Sequence, residues 1–248
     1  MRQLLSEILR LAELEISAKR ADIPDELKRL VVLCGGEERP DYYAVDSGYV
    51  VRRIGNSDVL VQIIVAVGRD VRKKFVVTKV SENPHMAARI NEINFAESIR
   101  SQFVLVDGPL TPYVHDAGVI GVSKDPRLVR YGPRIRDAEL RDAFVHLAKT
   151  LGEREAAALL LRDAPPGSYL EPVKIGGLMG TYFKSEWVLY VEFPENIPGD
   201  LLCPLFRKYP IRLRTAHHLA KVNREFLKTL RAVASSILGT PPHIRDLL

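Results

Sequence analysis

Sulfur and amide side chains are scarce in this chain, and so are long apolar runs. Cys34 and Cys203 are its only cysteines. They lie far apart without a Cys-x-x-Cys spacing, so neither a zinc site nor a disulfide framework is expected, and a reducing compartment fits. Three Gln, six Asn, two Cys and three Met among 248 residues form a low count of thermolabile side chains, as in heat-adapted proteins. No apolar stretch reaches the length of a membrane span. Arg2, Glu7 and Arg10 interrupt the N-terminal stretch where a signal peptide would be apolar, so a cytoplasmic location is expected. Internal repeats and low-complexity tracts are absent.

What the chain does have is ordinary globular composition, 46% hydrophobic and 27% charged, which excludes a wholly disordered chain. Its length suits one large domain. A net charge of +5 and a pI of about 9.2 favour a polyanionic partner. Basic residues gather in Arg69–Lys74, Arg127–Arg136 and Arg207–Arg214. Each cluster alone reads as a solvated face; the three together point to nucleic acid.

The stretch Asp41–Val51 (DYYAVDSGYVV) reads as a strand with a carboxylate in its middle. A charge inside a buried strand requires a partner or a metal, because desolvating a lone carboxylate outweighs any packing gain. Asp46 therefore asks for a cation. Asp-Ser-Gly is also good turn chemistry, which is the competing reading.

In chain order, residues 2–20 carry a helical apolar stripe, and Pro24-Asp25 open a second helix running to Cys34. Asp58–Gly68 and Lys74–Val80 are rich in β-branched residues and extend the Asp46 strand into an antiparallel meander. A helix runs from Pro84 to about Ser101. Gln102–Val106 is a buried parallel strand ending on Asp107-Gly108-Pro109, and Ala117–Lys124 is another. Helices follow over Asp137–Leu151 and Glu153–Arg162, then an antiparallel pair over Pro172–Phe183 and Trp187–Phe193. Pro194–Pro204 reads as loop and Leu213–Leu238 as a long closing helix.

Three antiparallel strands, a helix, then parallel strands with helices is the order of an α/β, ribonuclease-H-like mixed sheet. Such a fold needs carboxylates on the first strand, on the following helix and at the end of the fourth strand. Asp46, Glu92 or Glu97, and Asp107 stand at those places. Gathered together they would hold one or two divalent ions, magnesium or manganese by the oxygen chemistry, that activate a water and neutralise the leaving oxygen of a phosphodiester.

At this point the residues show a resemblance. FVLVDGPLTP at Phe103–Pro112, VDSG at Val45–Gly48, GVSK at Gly121–Lys124 and YPIRLRTAH at Tyr209–His217 resemble the archaeal NurA nucleases, in order and over most of the chain. The resemblance implies a manganese-dependent nuclease that resects DNA ends in recombinational repair, as a 5′ to 3′ exonuclease and single-strand endonuclease. It also implies a homodimer docked on a HerA-type hexameric DNA translocase, and it divides the chain into an N-terminal helical segment, 1–36, and a nuclease domain, 37–248.

Carried over by position, Asp46, the helix glutamate, Asp107 and His217 would be metal ligands, with Tyr209 completing the catalytic set. Arg89-x-x-Glu92 fits the family's helix and makes Glu92 the preferred glutamate, with Glu97 the alternative; His218 competes with His217. Lys124, Arg212 and Arg214 are candidate DNA contacts. One departure stands out: the family reads Asp-Gly-Ser where this chain reads Asp46-Ser47-Gly48, so a role for the serine hydroxyl is open. Two other function classes remain: a catalytically silent DNA-end or translocase adaptor of the same fold, and an actin-like ATPase. Pro109 argues against the ATPase by removing a backbone donor where a phosphate would sit.

Overall fold

The computed structural model describes residues 23–35, 39–54, 56–80, 83–124, 129–223 and 226–228. The helix expected over 2–20 and the end of the closing helix lie outside them. In chain order come a 3-10 turn at Asp25–Leu30, β1 (Val31–Val32), β2 (Tyr42–Ile54), β3 (Ser57–Val67), β4 (Val71–Val80) and α1 (Pro84–Glu97). Then follow β5 (Phe103–Asp107), β6 (Ile120–Ser123), a 3-10 turn at Gly132–Arg134, α2 (Ala138–Leu151) and α3 (Glu153–Leu160). The chain continues with β7 (Tyr169–Leu170), β8 (Val173–Ile175), β9 (Leu178–Lys184), β10 (Val188–Pro194), α4 (Gly199–Phe206) and α5 (Ile211–Leu219). These elements form two compact units, one of Asp41–Gly121 with the chain from Pro210, the other of Val122–Tyr209 with the chain up to Pro40.

The unit that begins at Asp41 holds the expected meander. β2, β3 and β4 pair antiparallel, and β5 joins β2 in parallel, with Tyr42 opposite Phe103 and Val45 opposite Val106. The result is a mixed sheet of ribonuclease-H-like order, flanked by helices. Its β-branched residues follow the period of two, and that period sorts them between two helices. Ile63, Val65 and Val67 pack on Ala216 and Ala220 at α5. Gln62, on the opposite face, donates its amide to the Ala88 carbonyl of α1 at 2.7 Å. Because Asp46 pairs with Val65 and Ser47 with Ile64, the same alternation turns Asp46 toward α5 and Ser47 toward α1. α1 starts sharply: Asn83 caps it by accepting the His85 N–H at 3.0 Å, and Pro84 occupies its first turn. α5 ends at Leu219 rather than running on without a break. Residues 221–223 are not helical, and Asn223 Oδ1 accepts the Phe226 N–H at 2.8 Å, which caps a fresh helical turn.

In the other unit β1, β7, β9 and β10 lie side by side with β8 on β9, all antiparallel. The pair read over 172–193 is two successive hairpins that share β9, because Gly176, at φ +65°, turns the chain between β8 and β9 before β9 pairs with β10. Its apolar core runs from Leu27 and Leu30 through Tyr131 and Phe144 to Tyr182 and Tyr190. Glu153, buried at the start of α3, accepts the backbone N–H groups of Arg130, Tyr131 and Gly132, each at 2.9 Å, and the Tyr182 hydroxyl at 3.0 Å. One carboxylate thus satisfies four donors that the core would otherwise strand.

Three expectations are corrected in this unit. The helix expected up to Cys34 stops at Leu30, because Val31 and Val32 pair as a strand with Leu170 and Tyr169. The loop expected over Pro194–Pro204 contains α4, in which Leu202, Cys203, Leu205 and Phe206 are buried and Pro204 sits inside the helix. The buried apolar face outweighs the single hydrogen bond that Pro204 removes. Finally, Cys34 and Cys203 form a disulfide across a sequence separation of 169 residues. Spacing rules see local cysteine pairs and miss one that folding brings together, so cysteine usage no longer argues for a reducing compartment. Reduction, or a Cys34→Ser/Cys203→Ser double substitution, is expected to lower unfolding stability by about 2–5 kcal/mol. Denaturant melts with and without reductant check this, with the double variant insensitive to reductant.

Candidate metal centre

Asp46 arrives from the middle of β2, Asp107 from the last position of β5, and His217 from α5. Their ligand atoms lie within 4.8 Å of one another. Each arrives for a local reason. Parallel pairing of β2 with β5 sets the two strands side by side. Gly108, at φ +96°, then turns the chain directly after Asp107, a conformation that favours glycine. A 2.7 Å hydrogen bond joins Asp46 Oδ2 to His217 Nδ1, while Asp46 Oδ1 accepts the Ser47 N–H at 2.7 Å. His217 keeps 54% of its side chain exposed against 10% for Asp46, so the pair forms the rim and the floor of one site.

Glu92 stands beside this set on the third turn of α1 and is 4% exposed. Both of its oxygens are engaged: Arg89 Nη1 donates to Oε1 and the Ser47 hydroxyl to Oε2. Arg89 also donates to the carbonyls of Asp107 at 2.5 Å and Pro109 at 2.8 Å, which clips α1 to the end of β5. Arg89 and Ser47 stand in the motifs read above without a role, and Gln62 is not singled out there at all. The one available signal was Gln62 itself, a lone amide inside an otherwise apolar strand interior.

The carboxylates strain against one another. Burial pushes Asp46 up to about 6, the charge of Asp107 adds to it, and the Ser47 N–H and His217 oppose it. Burial raises Glu92 to about 8; the Arg89 guanidinium opposes this, and the Asp46 charge adds to it. Two carboxylates and an imidazole crowded within 4.8 Å form a donor set that fits a divalent cation.

The remaining sequence candidates fall elsewhere. Glu97 lies on the exposed face of α1, with Oε1 accepting the Gly118 N–H at 3.4 Å, and His218 is exposed beside His217. Tyr209 is the last residue of the other unit, stacked on Trp187 with ring centroids 5.4 Å apart and with Lys124 Nζ 5.0 Å from its ring centroid. Arg212 binds Asp41 at 2.7 Å and packs over the Tyr42 ring; with Arg69 it holds the Asp41 carboxyl down at about 2. Arg214 is exposed on α5. Within the basic clusters, Arg130 is buried in an ion pair with Glu192 at 2.8 Å, so charge counted along the sequence overstates what can meet a polyanion.

A family model described as the NurA domain matches residues 40–222. Solved structures of similar fold include the NurA nuclease from Sulfolobus solfataricus, at 12% identity and a TM-score of 0.50, covering 98% of this chain and 99% of that one. A structure of NurA with manganese is similar at 12% identity and a TM-score of 0.53, covering 95% of this chain and 98% of that one. No curated protein matches by sequence.

The raised acids carry a stability prediction with a definite sign. Asp46 holds its proton more tightly folded than unfolded, so its contribution falls as pH rises from about 4 to about 6 and stays unfavourable above that. In EDTA at pH 8, Asp46→Asn is therefore expected to be more stable than wild type by about 2–3 kcal/mol, the gain vanishing below pH of about 4. Chemical denaturation at the two pH values measures it. A variant equally destabilised at both would show that repulsion and burial at Asp46 carry no such cost.

Proposed function

Because the chain belongs to the NurA family, whose domain model spans residues 40–222, we propose that it is a divalent-metal-dependent deoxyribonuclease whose centre is built on Asp46, Asp107, His217 and Glu92. The observation that carries this reading is the convergence of Asp46, Asp107 and His217 within 4.8 Å, with Glu92 on α1 close enough to feel the Asp46 and Asp107 charges. A divalent ion held there supplies an activated water and neutralises charge on a phosphodiester oxygen. The protein's own groups do the rest. Asp46, on the floor, accepts from Ser47 N–H and fixes His217. His217, half exposed at the rim, completes the shell or gives a proton to the departing oxygen. Glu92, gripped at both oxygens, presents a fixed carboxylate from α1.

Manganese is the preferred ion. One nitrogen ligand among oxygens suits it better than magnesium, and a NurA structure has been described with manganese. Single- and double-stranded DNA ends are the proposed substrates, supported by the basic balance of the chain and by exposed cationic side chains such as Lys73 and Lys74 along β4. The 5′ to 3′ polarity, the single-strand endonuclease activity, the homodimer, the HerA-type translocase and the role in end resection are proposed from the motif resemblance.

Cleavage of 5′-labelled single- and double-stranded DNA by wild type and by Asp107→Ala, each with manganese and with EDTA, tests the assignment. Wild type is expected to cut only with metal. Asp107→Ala is expected to bind DNA yet lose about 100-fold or more in rate, as removal of a metal-holding carboxylate does. Binding without cleavage by wild type, with its translocase present, would make the chain an adaptor instead.

A further inference from the structure

Gln62 is fully buried on β3, between Val61 and Ile63, in a strand interior otherwise made of Val, Leu, Ile and Ala. An amide is expensive in such a place unless each of its groups is bonded. Here they are: Nε2 donates to Ser47 Oγ at 3.0 Å and to the Ala88 carbonyl at 2.7 Å, and Oε1 accepts from Asn91 Nδ2 at 3.2 Å. The Ala88 carbonyl can only accept, which fixes the Gln62 atom beside it as nitrogen, and the second N–H of that nitrogen faces Ser47. The Ser47 hydroxyl accepts from Gln62 on one lone pair and donates its single proton to Glu92 Oε2. Arg89 holds the other oxygen. Fold stability alone would be served as well by a Leu or Met at this position, which would pack against α1 with no polar group to satisfy.

We infer that Gln62 and Ser47 are positioning residues, a relay running from β3 through β2 that holds the Glu92 carboxylate in one orientation on the α1 side of the centre. The inference rests on the metal-centre reading given above and adds to it two residues that touch neither ion nor DNA. The relay polarises the hydroxyl, the hydroxyl fixes the torsion of the carboxylate, and the carboxylate is ready before the ion arrives. Partners of this outer kind change metal affinity or activity by about 10–100-fold when removed.

The test uses Gln62→Met, which keeps length and loses the amide, and Ser47→Ala, which keeps the strand and loses the hydroxyl, with Asp107→Ala as the control for the metal centre. Each protein is titrated calorimetrically with Mn2+ in the absence of DNA, then assayed for DNA cleavage at saturating Mn2+. Both relay variants are expected to bind Mn2+ about tenfold or more weakly, and to lose kcat while KM for DNA stays within about twofold. Variants that melt at lower temperature yet keep wild-type Mn2+ affinity and kcat below that temperature would reduce the relay to packing and overturn the inference. Should Gln62→Met fail to fold, Ser47→Ala decides, because its side chain lies at the edge of the core. Wild type that binds Mn2+ but cuts no DNA defeats the nuclease reading while the titrations still decide the relay. Wild type that binds no Mn2+ defeats the relay as well.

Discussion

Two carboxylates converging with a histidine at the end of a buried strand, and a third carboxylate close enough for its charge to be felt, are the constraint on which the site-bearing unit depends. Asp46 and Glu92 are both raised, first by burial and then by neighbouring acids, and the groups that oppose this are few. At low effective dielectric, like charges a few ångströms apart cost several kcal/mol. One arginine and a handful of N–H and O–H donors offset only part of that. A fold that needed only stability would place apolar side chains here. Carboxylates crowded in this way become favourable together where a cation is shared among them, so the same repulsion that weakens the fold here favours a cation.

Arg89 decides whether that repulsion disperses the acids or keeps them in register. A guanidinium could neutralise Glu92 from many directions. This one lies in α1 three residues before Glu92 and reaches the carbonyls of Asp107 and Pro109 as well. Its planar fork bonds two backbone carbonyls and one carboxylate at once, which a lysine could not do with the same rigidity. The distance between the helix carboxylate and the end of β5 is thereby set by a covalently rigid group. Attraction to Arg89 holds Glu92 in the site without cancelling its burial, which is why the guanidinium leaves Glu92 above the usual carboxylate range.

The meander, the parallel strand ending on Asp107 and the helix carrying Glu92 could all be read from residues, because β-branched runs and punctuating Gly and Pro report local structure directly. Asp46 could be suspected because a lone acid in an apolar run is physically anomalous. Contacts that sequence distance hides could not be read. The Cys34–Cys203 bond spans 169 residues, and α4 carries Pro204 in its interior, where a proline looks like a breaker. Charge clusters misled for a related reason: Arg130 and Arg212 count as basic residues along the chain, yet in the fold each is spent on an internal acid. Gln62 followed the same logic as Asp46 and could have been found by it.

The order Asp46-Ser47-Gly48, which departs from Asp-Gly-Ser, has its own physical account. Successive strand residues face opposite helices, so Asp46 and Gly48 look toward α5 while Ser47 looks toward α1. At position 48 a Cβ would come within 2.2 Å of the Ala220 carbonyl oxygen, a backbone atom that cannot step aside, so only glycine is accommodated there. At position 47 a hydroxyl is what lets Gln62 reach Glu92. Exchanging the two residues would drive a side chain into the end of α5 and remove the donor from α1 in one step. The close approach of α5 that demands Gly48 is also what brings His217 to Asp46, so the spacing of that helix and the chemistry of the centre are a single requirement on the backbone of β2.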